Sequence, residues 1–142
     1  MQVRELMTRD VYTISPTHTL QEAARLMQTI DSGFLPVADN DRLVGTITDR
    51  DITIRAVAEG LDPQTPVSQI LTKDVKYCME DEDIEDLASN MAEIQVRRLP
   101  VVNSDKRLVG IISLGDLAID SAAATAAEKA LSGVSQPGAH RH

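Results

Sequence analysis

Apolar residues recur at helical spacing in two windows of the chain, and each window is followed by short apolar runs bounded by turn residues. In the first window Leu20, Ala23, Ala24 and Met27 fall on one helical face. They follow Thr19-Leu-Gln-Glu22, where threonine and glutamate can cap the first turn reciprocally. Asp31-Ser-Gly33 closes this helix, with Gly33 expected in a left-handed C-terminal conformation. Leu35 to Ala38 predicts a strand, Asp39-Asn-Asp41 a turn, and Leu43 to Thr48 the returning strand of a hairpin. A second helix is predicted from near Asp49 to Gly60. Upstream, residues 2–7 predict one or two helical turns, and Val11 to Ile14 a brief strand stopped by Ser15-Pro16.

The second window repeats this order. Val75 to Met79 predicts the brief strand. Asp83 caps a helix whose buried face is Ile84, Leu87, Ala88 and Met91, and Leu99 to Asn103 with Leu108 to Ser113 predict the hairpin. A last helix begins near Leu114 and runs to about Ala130. The wording repeats as well as the pattern. Val3-Arg-Glu-Leu-Met-Thr8 returns as Val67-Ser-Gln-Ile-Leu-Thr72, and Phe34-Leu-Pro-Val-Ala-Asp39 as Arg98-Leu-Pro-Val-Val-Asn103. Leu43-Val-Gly-Thr-Ile-Thr-Asp-Arg-Asp51 returns as Leu108-Val-Gly-Ile-Ile-Ser-Leu-Gly-Asp116, with one extra residue in the preceding turn. Such a duplication predicts two similar α+β, sandwich-like modules related by a pseudo-two-fold axis. Residues 1–60 form the first repeat, 61–66 a linker with two prolines, 67–120 the second repeat, and 121–142 a helical extension with a disordered tail. Each repeat alone could bury only a marginal core, so the two are expected to be inseparable.

Composition narrows the function classes. The formal net charge of −8 argues against general nucleic-acid binding, and one Phe, two Tyr and no Trp argue against a base-stacking surface. The lone Cys78 allows no intrachain disulfide and points to a reducing compartment. No apolar stretch reaches the ~20 residues of a membrane span, and the N-terminus has no secretory pattern, so a cytoplasmic protein is expected. No Ser/His/Asp set, zinc spacing or phosphate-loop motif occurs, so neither catalytic nor metal-ligating residues are expected. The run Glu80 to Asp86 lacks the ligand spacing of a calcium loop and reads as a solvated helix start. Cys78 reads as a buried or ligand-lining thiol rather than a nucleophile.

The motif that carries chemistry is Gly45-Thr-Ile-Thr48-Asp-Arg-Asp51, with Ser113 and Asp116 as its second copy. Gly45 permits close backbone approach in a strand. Thr48 precedes a helix, so its hydroxyl can cap that helix or donate to a phosphate. An ionised Asp51 accepts only, which suits the two hydroxyls of a ribose. The plainer reading is that both pairs merely cap their helices.

The repeated Leu-Pro-Val and Gly-x-x-Thr/Ser-x-x-Asp elements resemble those of the cystathionine-β-synthase (CBS) domain pair, or Bateman module, over about residues 1–120. Thr48-Asp-Arg-Asp51 with Gln95-Val-Arg-Arg-Leu-Pro100 looks like the stand-alone bacterial two-CBS proteins. The resemblance implies nucleotide clefts in which an adenine slot from one repeat meets the sugar–phosphate motif of the other. One would join Thr13, Ile14, Ser15, Pro16, Gly33, Phe34 and Leu35 with Ser113 and Asp116. The other would join Tyr77, Cys78, Met79, Arg97, Arg98 and Leu99 with Thr48 and Asp51, and could draw on Arg50 and Arg55 for a di- or triphosphate. Arg97 and Arg98 could equally pair with the acidic run or another subunit. The implied function is a non-enzymatic sensor of AMP, ADP, ATP or a related adenosyl ligand, with no other cofactor. A homodimer through helices and an effector protein are the implied partners. The competing expectation is an interaction or structural protein whose clefts are empty.

Overall fold

The computed structural model describes residues 1–94 and 97–117. The chain divides into two compact units, one formed by Met1–Val11 with Lys76 onward and the other by Tyr12–Val75. The expected Ala-rich continuation of the last helix and the C-terminal tail lie outside the described residues.

The Tyr12–Val75 unit is built on helix α1 (Leu20–Ile30) and a hairpin of strands β1 (Phe34–Asp39) and β2 (Arg42–Thr48). Thr19 caps α1, its side chain accepting the Glu22 amide at 3.1 Å. Leu20, Ala23 and Met27 are buried as expected. Ala24 is exposed, and the larger Leu26 and Ile30 pack on the core in its place. The helix ends with Asp31, not Gly33, in the left-handed region at φ 53°. Asn40 and Asp41 both take positive φ (51° and 65°), the twist a two-residue hairpin turn needs.

The predicted Val11–Ile14 strand contracts to a parallel bridge between Ile14 and Val37. Ile14 N donates to Pro36 O at 3.1 Å and Ala38 N to Ile14 O at 3.0 Å. On the other edge Thr72 pairs with Thr46, so two single-residue bridges flank the hairpin. After β2 comes helix α2 (Asp49–Asp51), which continues through Ile52–Val57 with wider π-type turns. Ala58 N donates to Thr53 O, five residues back. The core of this unit comprises Ile14, Leu20, Ala23, Met27, Leu35, Val37, Ile47, Ala56, Val67 and Ile70.

The other unit repeats the plan. Strand β3 is only Cys78–Met79, shorter than the predicted Val75–Met79, and runs parallel to β4 (Arg98–Val102). β4 pairs antiparallel with β5 (Leu108–Ser113), which leads into helix α4, described over Leu114–Leu117. Helix α3 (Ile84–Ile94) buries Ile84, Leu87, Ala88 and Met91, the predicted face. Asp83 Oδ1 accepts the Glu85 amide at 2.9 Å at its start. The extra residue of the second repeat lies in the β4–β5 turn, where Asn103 Oδ1 accepts the amides of Asp105 and Arg107.

The leading segments are exchanged. Val3–Glu5 is a single helical turn whose Val3 is fully buried in the core of Cys78, Leu87, Leu99 and Ile112. It is tied there by Val3 N to Glu82 O and Arg4 N to Glu80 O, each 2.9 Å, and by Thr8 N to Ile111 O at 2.8 Å. The matching turn Val67–Gln69 packs instead on the first repeat's hairpin. Each hairpin thus has its edge covered by the leading segment of the other sequence repeat.

Candidate functional site

Gly45 and Gly110 occupy matching places in β2 and β5, where the leading segments cross. A Cβ on Gly45 would lie 2.8 Å from Thr72 O, and one on Gly110 2.9 Å from Thr8 O. The close backbone approach expected of Gly45 is therefore made by the protein's own chain, and it lets Thr46 and Ile111 form their bridges.

Thr48 and Asp51 stand three residues apart at the junction of β2 and α2, both buried (6% and 8% exposed). Asp51 N donates to Thr48 Oγ1 and Thr48 N to Asp51 Oδ2, each at 3.0 Å. This reciprocal cap fixes both side chains. Among the described residues, none accepts the Thr48 hydroxyl proton. Asp51 Oδ1 faces Arg55 Nε at 3.8 Å. The second copy closes differently. Ser113 N donates to Asp116 Oδ2 at 2.8 Å, Asp116 N to Ser113 Oγ at 3.3 Å, and Ser113 Oγ lies 3.1 Å from Asp116 Oδ2 as a further donor. Among the described residues, the two motifs thus differ: the Ser113 hydroxyl is turned onto its own carboxylate, and the Thr48 hydroxyl has no such contact.

Within the Tyr12–Val75 unit the residues predicted for the first adenine slot lie beside the Thr48 junction. Phe34 pairs with Thr48 across the hairpin, and Asp49 N donates to Gly33 O at 2.9 Å. A Cβ on Gly33 would meet the carboxylate of Asp49, an exposed side chain that overlies it. In the other unit Arg97 replaces Gly33 and Leu114 replaces Asp49. The backbone link persists, Leu114 N to Arg97 O at 3.1 Å, while Leu114 turns inward and is buried. The exchange is paired: removing the overlying carboxylate makes room for a side chain. Ser15 is held locally, its amide donating to His18 Nδ1 at 3.2 Å and its hydroxyl meeting Thr17 Oγ1 at 3.0 Å. Thr13 is exposed, Ile14 and Leu35 are buried, and Pro16 is half-buried.

Of the residues predicted for the second slot, Tyr77, Arg97 and Arg98 are exposed, Met79 is half-buried and Leu99 is buried. Cys78 is 1% exposed, and its thiol points to Pro100 O at 3.8 Å. Burial, with Glu82 nearby, pushes its pKa up to about 12, so it is neither ionised nor reactive near neutrality. Arg50 is exposed on an open dent of about 320 Å³ lined also by Asp49, Thr53 and Ile54. Arg55 is engaged inside its unit, donating from Nη1 to Ile70 O and Thr72 Oγ1, both at 3.0 Å. Its partners lie far along the chain, so neither periodicity nor motif could have revealed them.

Among the described residues no three His, Cys, Asp or Glu side chains gather into a metal-holding group, and no helix is long and apolar enough to cross a membrane. His140 and His142 lie outside the described residues.

Comparison with known proteins agrees with the duplication. The chain is 41% identical to the CBS domain-containing protein YhcV of Bacillus subtilis over 97% of its own length and 98% of the relative's. It is 42% identical to hypoxic response protein 1 of Mycobacterium tuberculosis, covering 81% of each. Among solved structures it is similar to hypoxic response protein I with two coordinated zinc ions (TM-score 0.75, 38% identity, 83% of this chain, 97% of that one). It is also similar to the CBS domain pair of protein MJ0100 in complex with 5′-methylthioadenosine and S-adenosyl-L-methionine (TM-score 0.72, 28% identity, 83% of this chain, 97% of that one). The cytosolic domain of the Mg²⁺ channel MgtE in complex with ATP matches too (TM-score 0.72, 30% identity, 82% of this chain, 47% of that one). Enzyme relatives match in part only: the chain covers 22% of an inosine-5′-monophosphate dehydrogenase from Methanocaldococcus jannaschii. The CBS domain model matches residues 3–57 and again 67–120, so the chain belongs to the CBS-domain family as a tandem pair.

Proposed function

We propose that this CBS pair is a non-enzymatic sensor of adenosyl ligands: AMP, ADP, ATP or a relative such as S-adenosylmethionine. The observation that carries the reading is the duplicated hydroxyl–carboxylate pair, Thr48 with Asp51 and Ser113 with Asp116, each at a strand-to-helix junction. In this reading the carboxylates accept ribose hydroxyls, and the helix N-termini with the hydroxyls face phosphate. The strand ends Thr13–Pro16 with Gly33–Leu35, and Tyr77–Met79 with Arg97–Leu99, supply the apolar slots of the two clefts. Exposed Arg50, Arg97 and Arg98 favour the more charged ligand at the Asp51 motif. The adenosyl and ATP complexes of the MJ0100 and MgtE relatives support the ligand class. Binding would shift the pair between two arrangements by its differential affinity for them. A homodimer packed through helices would pass that change to an effector protein in the cytoplasm.

Titration calorimetry of the full chain with AMP, ATP and S-adenosylmethionine tests this. Heat is expected for at least one ligand, with Asp51→Ala and Asp116→Ala each weakening one site. No heat and no thermal shift at millimolar concentrations of all three would overturn the proposal. The competing reading, an interaction module with empty clefts, is favoured by one observation: both hydroxyl–carboxylate pairs already satisfy each other through the backbone.

A further inference from the structure

Arg55 links the start of helix α2 to the Ile70–Thr72 segment within the Tyr12–Val75 unit. Its Nε faces Asp51 Oδ1 at 3.8 Å, and its Nη1 donates to Ile70 O and Thr72 Oγ1, each at 3.0 Å. Asp51 is held on its other oxygen by Thr48 N, so Oδ1 is the oxygen left to meet a ligand, with Arg55 on its flank. Thr72 is itself fixed, giving and receiving backbone bonds with Thr46 at 2.9 and 3.0 Å. A planar guanidinium is suited to this, because one rigid fork fixes two directions at once. Both Nη1 protons are taken by a carbonyl and a hydroxyl, which fixes the plane of the guanidinium beside Asp51.

We propose that Arg55 is the positioning residue of the Asp51 site. It aims the carboxylate at the ligand's sugar and ties that aim to the Ile70–Thr72 segment, which is itself bonded to β2. The inference rests on the sensor reading above. It differs from a phosphate-binding role because it acts through Asp51, whatever the length of the phosphate chain. Thr72, which would touch no ligand, then becomes part of the site's support.

The test is ATP and AMP titration of the full chain carrying Arg55→Ala, Arg55→Lys or Thr72→Val, alone and combined with Asp51→Asn. Arg55→Ala is expected to weaken ATP and AMP alike by about tenfold, and Thr72→Val by about threefold, as for contacting residues in one network. Lysine, lacking the fork, should recover little. In the Asp51→Asn background, where the charge that Arg55 faces is gone, Arg55→Ala should cost less than about twofold. An equal loss in both backgrounds would show general structural support and overturn the assignment. So would a loss confined to ATP, which would make Arg55 a phosphate ligand. Absence of ATP and AMP binding by the wild-type chain, with S-adenosylmethionine equally silent, overturns the sensor reading itself.

Discussion

The Gly45 Cα stands so close to the Thr72 carbonyl that a methyl group there would lie 2.8 Å from the oxygen. Gly110 and the Thr8 carbonyl repeat the relationship at 2.9 Å. Gly45→Ala and Gly110→Ala should each push a leading segment off its hairpin, costing about 1–3 kcal/mol as overpacking does. Gly115 is the control, since its added Cβ meets nothing nearer than Ser113 Oγ at 3.5 Å. In a helix, alanine there should be neutral or stabilising by up to about 1 kcal/mol. Urea unfolding of the three variants checks the order.

The exchange of leading segments predicts where a core mutation is felt. Val3 and Val67 are both fully buried, each among residues of the opposite sequence repeat. Val3→Ala should lower stability by about 1–3 kcal/mol and move amide resonances around Glu80–Ile84 and Ile111. Val67→Ala should have a similar cost but move those around Pro16–Leu20 and Thr46. Shifts confined to the mutated residue's own repeat would contradict the packing.

Thr48→Ala removes the acceptor of the Asp51 amide at a buried helix start. A loss of about 0.5–2 kcal/mol is expected from such a cap. Thr48→Ser should retain most of it. Thermal or urea midpoints distinguish the two.

Cys78 gives a pH dependence of known sign. Its folded pKa lies near 12 against an ordinary value of 9.0, so the unfolded chain releases this proton first. Its contribution is fully present below pH 9 and is lost as pH rises from 9.0 toward about 12. Cys78→Ala should flatten that part of the stability profile. Thiol labelling at neutral pH should be slow in the folded chain and rise with urea in step with unfolding.

Much of the fold was legible because it is local. The Thr19 cap, the α1 face apart from Ala24, the buried face of α3, both hairpins and the turn holding the extra residue all follow from spacing and turn chemistry. What escaped depends on distant partners. Gly33 reads as a helix terminator, but Asp31 takes the left-handed position and the Gly33 carbonyl instead accepts the distant Asp49 amide. The first strand of each repeat contracts because only one or two of its residues find a β partner. The capping geometry of Thr48 with Asp51 follows from their three-residue spacing before a helix, whereas the link of Arg55 to Ile70 and Thr72 carries no sequence mark.

The crossing of the leading segments also bears on how this chain can be divided. A cut in the stretch 61–66 separates two look-alike sequences, yet neither product keeps its own lid. The first fragment retains Val3–Thr8 with no hairpin beneath it and lacks Val67–Thr72 over the hairpin it does have. The second carries the converse defect. Scission at the obvious boundary thus yields two halves that need each other, whereas the paired fragments hold every part required for mutual repair.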